Sequence, residues 1–271
     1  MVRILDIVPT TVHDAEMVSA PTQAASVIQL KAETLESFHE YVRDAEAAMQ
    51  PALAGKGPFL WTDTDPDRAS RVRKGEILAQ LWAGQASIHI PGGLIHDWIG
   101  AVAIKDTTVE KTLARVQDYD HHKDIYKPEV LDSRRLKHNG NDFTIFLRLL
   151  KKKIITVVMD TEHDVHYQQV AEDKWFCRSY TTRVCEVDDA GAPHENVQPP
   201  DTGYGFLWRL YSYWKFAADG DGVIVECRAM SLTRDIPLGL GFVIEPIIKK
   251  LPRESLINTL KATRQVLSVK A

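Results

Sequence analysis

Two periodicities divide the chain. Period-two alternation of apolar and polar positions dominates from about residue 92 to residue 233, and stripes of helical period flank it on both sides. Leu94–Ile104 reads as a strand, and β-rich runs follow at about 130–138, 143–150, 154–167, 174–187, 206–217 and 223–233. The breaks are Asn139-Gly140-Asn141, the lysines at 151–153, Ala171–Asp173, a long loop at 188–204 and Asp219-Gly220-Asp221-Gly222. Asn-Gly and Asp-Gly between such runs are hairpin signals. Thr107–Gln117 reads as a helix, with Thr107 or Thr108 as N-cap and Glu110 in the first turn, and a Tyr/Asp/His-rich connection runs on to Pro128. Upstream, Leu35, Phe38, Val42, Ala45 and Met49 make one apolar stripe over 32–49, ended by Pro51, Gly55, Gly57 and Pro58. A short strand is expected around Ile77–Trp82, and residues 1–26 read as a poorly ordered lead-in. The chain closes on a long helix from Pro237 to Val269, expected to bend at Pro246 and Pro252.

This order predicts an α+β protein: a curved antiparallel β-sheet wrapped around a long C-terminal helix, with an extra N-terminal helical segment. Several pieces sharpen the prediction: Trp98–Ile104, the helix end Val116-Gln117-Asp118-Tyr119-Asp120, and Ile125-Tyr126-Lys127-Pro128-Glu129-Val130. Phe206–Phe216, Gly222–Arg234 and Pro252-Arg253-Glu254-Ser255-Leu256 extend the list. With the element order, these make residues 92–268 resemble the START-like or SRPBCC superfamily, the polyketide cyclase and lipid-transport group. The resemblance implies a helix-grip fold and a hydrophobic cavity for a lipid, sterol-like or polyketide-like ligand, with no shared catalytic signature. The expected division is a lead-in at 1–26, an extension at 27–91 packed on the sheet, and a START-like domain at 92–271.

Composition narrows the partners. Of the 271 residues 44% are hydrophobic and 26% charged, which is globular rather than disordered, and the net charge of −4 gives no footprint for nucleic acid. Cys177, Cys185 and Cys227 form no CxxC spacing, so neither a zinc knuckle nor a disulfide framework is expected, and no cofactor is implied. No stretch approaches the ~20 apolar residues of a membrane helix, which leaves transient membrane contact open. Met1–Asp6 lacks an export signal, so the default expectation is cytoplasmic, or exported if a signal lies further upstream. Oligomeric state is not specified.

Alternate residues of a strand face opposite sides, which nominates ligand contacts. His96 and Trp98 are expected to point into the grip, as is His163 with Val157, Met159, Val165 and Tyr167. Trp208 and Trp214 fall on the inward set of 206–216, and Arg178, Glu226 and Arg228 are the charged groups expected to converge on the cavity. From the last helix, Val243 and Ile247 join the set, in a stripe of Leu240, Val243, Ile244, Ile247, Ile248 and Leu251 expected to cover an entrance beneath 237–252. Binding or transfer of a hydrophobic small molecule is the leading expectation. A cyclase, aromatase or hydratase using His96, His163 or Glu226 is the alternative. An interaction module presenting an exposed Phe59-Leu60-Trp61 is a third. A metal site is not expected: His163 and His166 fall on opposite strand faces, and Asp118, Asp120, His121 and His122 lack ligand spacing.

Overall fold

The computed structural model describes residues 27–152, 156–235 and 241–268, the side chains of the last segment from residue 250 onward. The lead-in, Leu240 and the side chains of Val243, Ile244, Ile247 and Ile248 lie outside the described residues, and with them the expected entrance and its gate.

One antiparallel sheet organises the molecule. Its long strands are β4 (Gly93–Lys105), β5 (Val130–Asn139), β6 (Asp142–Lys152), β7 (Thr156–Ala171), β8 (Lys174–Asp188), β11 (Arg209–Asp219) and β12 (Gly222–Arg234). The short strands are β1 (Ile28–Gln29), β2 (Leu78–Leu81), β3 (Ile88–Ile90), β9 (Asn196–Val197) and β10 (Thr202–Gly203). The sheet order is β2-β4-β12-β11-β8-β7-β6-β5, with β3 also on β4, β9 on β8, and β1 paired with β10 alone. Hairpins join β5 to β6, β7 to β8 and β11 to β12, the turns at Gly140 and Gly220 taking the positive φ that glycine tolerates. β4 and β12, far apart in the chain, pair antiparallel with each other along their full length.

Each sheet face has its own helical layer. On the concave side lie α3 (Val109–Val116), the short α4 (His122–Ile125) and the long α5 (Gly241–Ser268). Thr108 caps α3 by accepting from Lys111 N–H. Val109, Leu113 and Val116 of α3 and Leu256 and Leu260 of α5 form one core with Trp98, Val102, Ile104, Phe216 and Val225 of the sheet. On the convex side lies α1 (Ala32–Leu53), whose Phe38, Val42 and Ala45 pack on Ile95, Phe176, Tyr213, Met230 and Leu232. Next to it, Phe59, Leu60, Trp61 and Val72 cover Ile99, Ala217 and Ile224, with Val72 on α2 (Pro66–Arg73). Phe59, Leu60 and Trp61 are therefore buried, against the expectation of an exposed docking patch, because the apolar outer face of β4 and β12 takes them up.

At Gly100 the concave layer touches the sheet. A Cβ there would lie 2.8 Å from Leu260 Cδ1 and 2.7 Å from the Leu78 carbonyl oxygen. The missing side chain is what lets α5 cross β4 at this point.

Candidate ligand-binding face

Strand register lays the concave face out in rows. One row runs Trp98, Ala229, Ser212, Ser179, Val165 and Phe143 across β4, β12, β11, β8, β7 and β6. The neighbouring row starts His96, Ser231 and Leu210, and the Leu210 N–H donating to Thr181 Oγ1 (2.9 Å) carries it on to Thr181, His163 and Ile145. On the other side run Gly100, Cys227, Trp214, Cys177 and Tyr167, then Val102, Val225, Phe216 and Trp175. These rows contain no Asp, Glu, Lys or Arg.

The rows differ in how far they are covered. Near α3 and the C-terminal half of α5 they are closed by apolar packing. Toward Ser212 they open: along β11, Leu210, Ser212 and Trp214 are only half-buried, whereas the intervening Tyr211 and Tyr213 are 9% and 3% exposed. The convex side is the better sealed one here, reversing the usual pattern of an inner and an outer sheet face. Phe38 of α1 meets Tyr211 edge-on at 5.1 Å between ring centroids, and Glu46 accepts from the hydroxyls of Tyr180 and Tyr213. Small side chains at Ala229, Ser212 and Ser179 form the floor of the opening.

Titratable groups on this face are held neutral. Burial lowers the His163 pKa to about 4, and its Nε2 lies 3.0 Å from Thr161 Oγ1, which itself donates to the Leu147 carbonyl. Burial pushes the Cys177 and Cys227 thiols up and lifts Tyr119 and Tyr167 well above the usual phenol range, the last two sharing a 2.8 Å bond between hydroxyls. His96 has Nδ1 3.1 Å from the Ala86 carbonyl and Nε2 3.2 Å from Thr233 Oγ1, and burial lowers its pKa.

Of the residues singled out from sequence, Trp98, His163 and Trp214 stand on the concave face, His163 on β7 and Trp98 on β4, with His96 in the adjoining row. Arg178, Glu226, Arg228 and Trp208 do not join them. Glu226 faces the N-terminal layer, accepting from Trp61 N–H (2.8 Å), Thr62 N–H (2.7 Å) and Thr62 Oγ1 (2.9 Å). Arg228 forms a buried two-point pair with Asp97 (3.0 and 2.6 Å) and lies under the Trp82 ring at 4.1 Å. Buried charges need partners, and those of Glu226 and Arg228 lie on the convex side. Arg178 is exposed on that same face, beside Tyr180. Trp208 lies before β11 begins, so it escapes the alternation of that strand and packs on the side of α1.

The histidine and carboxylate clusters also separate. His166 turns away from His163 to meet Asp142 at 2.7 Å, and His121 meets Asp118 at 2.7 Å on the surface. His122 is buried with Nε2 2.9 Å from the Val116 carbonyl. Among the described residues no group of three or more His, Cys, Asp or Glu could hold a metal ion. Ser179, Ser212, Ser231 and Ala229 were not nominated from sequence. The signal for them is the uncharged alternate set Val223, Val225, Cys227, Ala229 and Ser231 on β12, which becomes readable once the pairing register is known.

Element order, layering and the half-open concave face define a helix-grip protein with an added outer layer. No protein-family model matches the chain, and no curated protein matches it in sequence. Solved structures do resemble it in fold. A STAR-related lipid transfer protein from Xanthomonas axonopodis is 19% identical with a TM-score of 0.44, over 68% of this chain and 100% of that one. Human STARD10 is 10% identical with a TM-score of 0.41, over 73% of this chain and 79% of its own. An aromatase/cyclase from Streptomyces sp. R1128 is 12% identical with a TM-score of 0.39, over 64% and 93%. Among the described residues, no helix is long and apolar enough to cross a membrane.

Proposed function

We propose that the protein holds an uncharged, largely apolar small molecule against the concave face of the sheet, with the small residues of β12, β11 and β8 as its floor. The observation that carries this reading is the segregation of charge. Asp97, Arg209, Lys215, Glu226 and Arg228 sit at outward positions of β4, β11 and β12, while the concave rows are uncharged and half-open at Ser212. A mostly apolar concavity with a few polar groups is how small-molecule sites are usually built.

A cyclase, aromatase or hydratase role on the same face would need an acid or base. Glu226 is bonded from the other side of the sheet and His96 has both nitrogens engaged, which leaves His163. With a pKa near 4 it is neutral at pH 7 and a weak base, so holding a ligand is better supported than transforming one.

Nile red titration tests the proposal. One site per chain is expected, and Ser179→Phe, which fills the floor, is expected to weaken binding about tenfold with the circular dichroism spectrum unchanged. Equal binding by a folded Ser179→Phe protein would sink the concave site.

A further inference from the structure

Of the three tryptophans on the concave face, Trp98, Trp175 and Trp214, the first and the last differ in one respect. Trp214 Nε1 donates to Ser212 Oγ at 3.1 Å. Trp98 is 7% exposed, and its Nε1–H is buried without a hydrogen-bond partner. Directly across from Trp98 on β12 stands Ala229, which offers only a methyl group. The other cross-strand neighbour, Leu81 on β2, is equally without an acceptor.

Leaving an indole N–H dry and unpaired costs free energy that a hydrocarbon neighbour cannot return. Buried indole N–H groups usually find a partner. Ala229, Ser212 and Ser179 continue the Trp98 row as small, half-buried side chains, so an occupant lying along that row would adjoin the indole. Among the described residues no free cation stands beside Trp98 to neutralise an anionic acceptor: Arg228 is committed to Asp97 on the opposite side, and Lys151, further along the face, to Glu129. The acceptor must therefore be neutral.

We infer that Trp98 is the polar anchor of the site, its indole N–H donating to a neutral oxygen of the ligand, such as a ketone, ester or ether oxygen. The ligand class is then an apolar ring or chain carrying one such oxygen, not a plain hydrocarbon and not a carboxylate. This rests on the proposed concave site and specifies what that site selects.

A matched probe pair separates the two claims. Fluorene and 9-fluorenone share a ring skeleton and differ in a carbonyl. Calorimetric titration of the wild-type chain is expected to show 9-fluorenone binding about tenfold more tightly. In Trp98→Phe that preference should collapse while fluorene binds as before. The indole ¹⁵N–¹H resonance of Trp98, one of six tryptophans and assignable by its loss in Trp98→Phe, should move further downfield with 9-fluorenone than with fluorene. If wild type binds both probes equally, or the Trp98 resonance responds alike to both, the anchor is overturned and the apolar site survives. If neither probe binds, the concave site falls and the anchor with it. The calorimetric comparison of the two probes on wild type stands even if Trp98→Phe fails to fold.

Discussion

At the scale of single residues, the buried histidines make stability depend on pH. Burial lowers both His122 and His163 to a pKa of about 4, against about 6.5 in the unfolded chain. Between those values the unfolded chain binds more protons, so stability is full above pH 6.5 and falls as the pH drops toward 4. Each histidine should remove about 2 kcal/mol between pH 7 and pH 5. Two buried carboxylates work in the opposite sense. Burial raises Glu186 and Glu226, so each makes folding less favourable as the pH rises from about 4.5 through its raised value. Their opposing slope softens the total acid loss, but a histidine substitution isolates one contribution. Urea unfolding at pH 7 and pH 5 should show a smaller acid loss for His163→Gln than for wild type, by about 2 kcal/mol. An unchanged acid loss would show that His163 is hydrated in solution.

At the scale of elements, the approach of α5 to β4 depends on the absence of one side chain. Gly100→Val would drive methyl groups into Leu256, Leu260 and the Leu78 carbonyl, and the last of these belongs to the backbone of β2 and cannot rotate away. Overpacking of this kind costs about 1–3 kcal/mol, and thermal melting should show it as a lowered Tm. Leu260→Ala in the same chain should return part of the loss, since it vacates the space the valine needs. A Tm within a degree of wild type would mean that α5 does not dock at Gly100. Elements such as these were largely legible in the sequence. β4, α3 and the hairpins at Gly140 and Gly220 fall within a few residues of where periodicity and turn chemistry put them. α1 runs past Pro51 to Leu53, because a proline in the last turn deletes a single donor. The facing of β12 was not legible. Both sides of that strand are buried, Val225 on one and Ile224 on the other, so alternation shows two sets without showing which is inside. Reading Glu226 and Arg228 as inward followed from that ambiguity. Only the partners at Trp61, Thr62 and Asp97 resolve it, and all three are distant in sequence.

At the scale of the molecule, the N-terminal layer covers a sheet face that is itself apolar. The convex face carries Ile95, Phe176, Met230 and Leu232, a continuous apolar surface closed by Phe38, Val42 and Ala45. It also carries charge that depends on the layer. Tyr41 donates to Asp97 at 2.7 Å, and the two backbone N–H groups that hold Glu226 come from Trp61 and Thr62. Lys215, whose pKa burial lowers, donates to the Phe59 carbonyl at 2.6 Å. Removing the layer would expose these large apolar side chains to water, and their summed loss of burial is comparable with the whole stability of a domain. A chain beginning at residue 92 should therefore lack a cooperative thermal transition and bind apolar dye nonspecifically, even though it retains β4 to β12 and α5. The sharper comparison is Glu226→Leu. In the full chain it strands the Trp61 and Thr62 N–H groups and should destabilise, whereas in the truncated chain it replaces a solvated carboxylate by an apolar side chain on an exposed face and should lower solubility without that loss. Circular dichroism melts and sedimentation of the four proteins check both signs. A truncated chain that melts cooperatively as a monomer would mean that the concave core alone carries the fold and that the outer layer serves some other purpose.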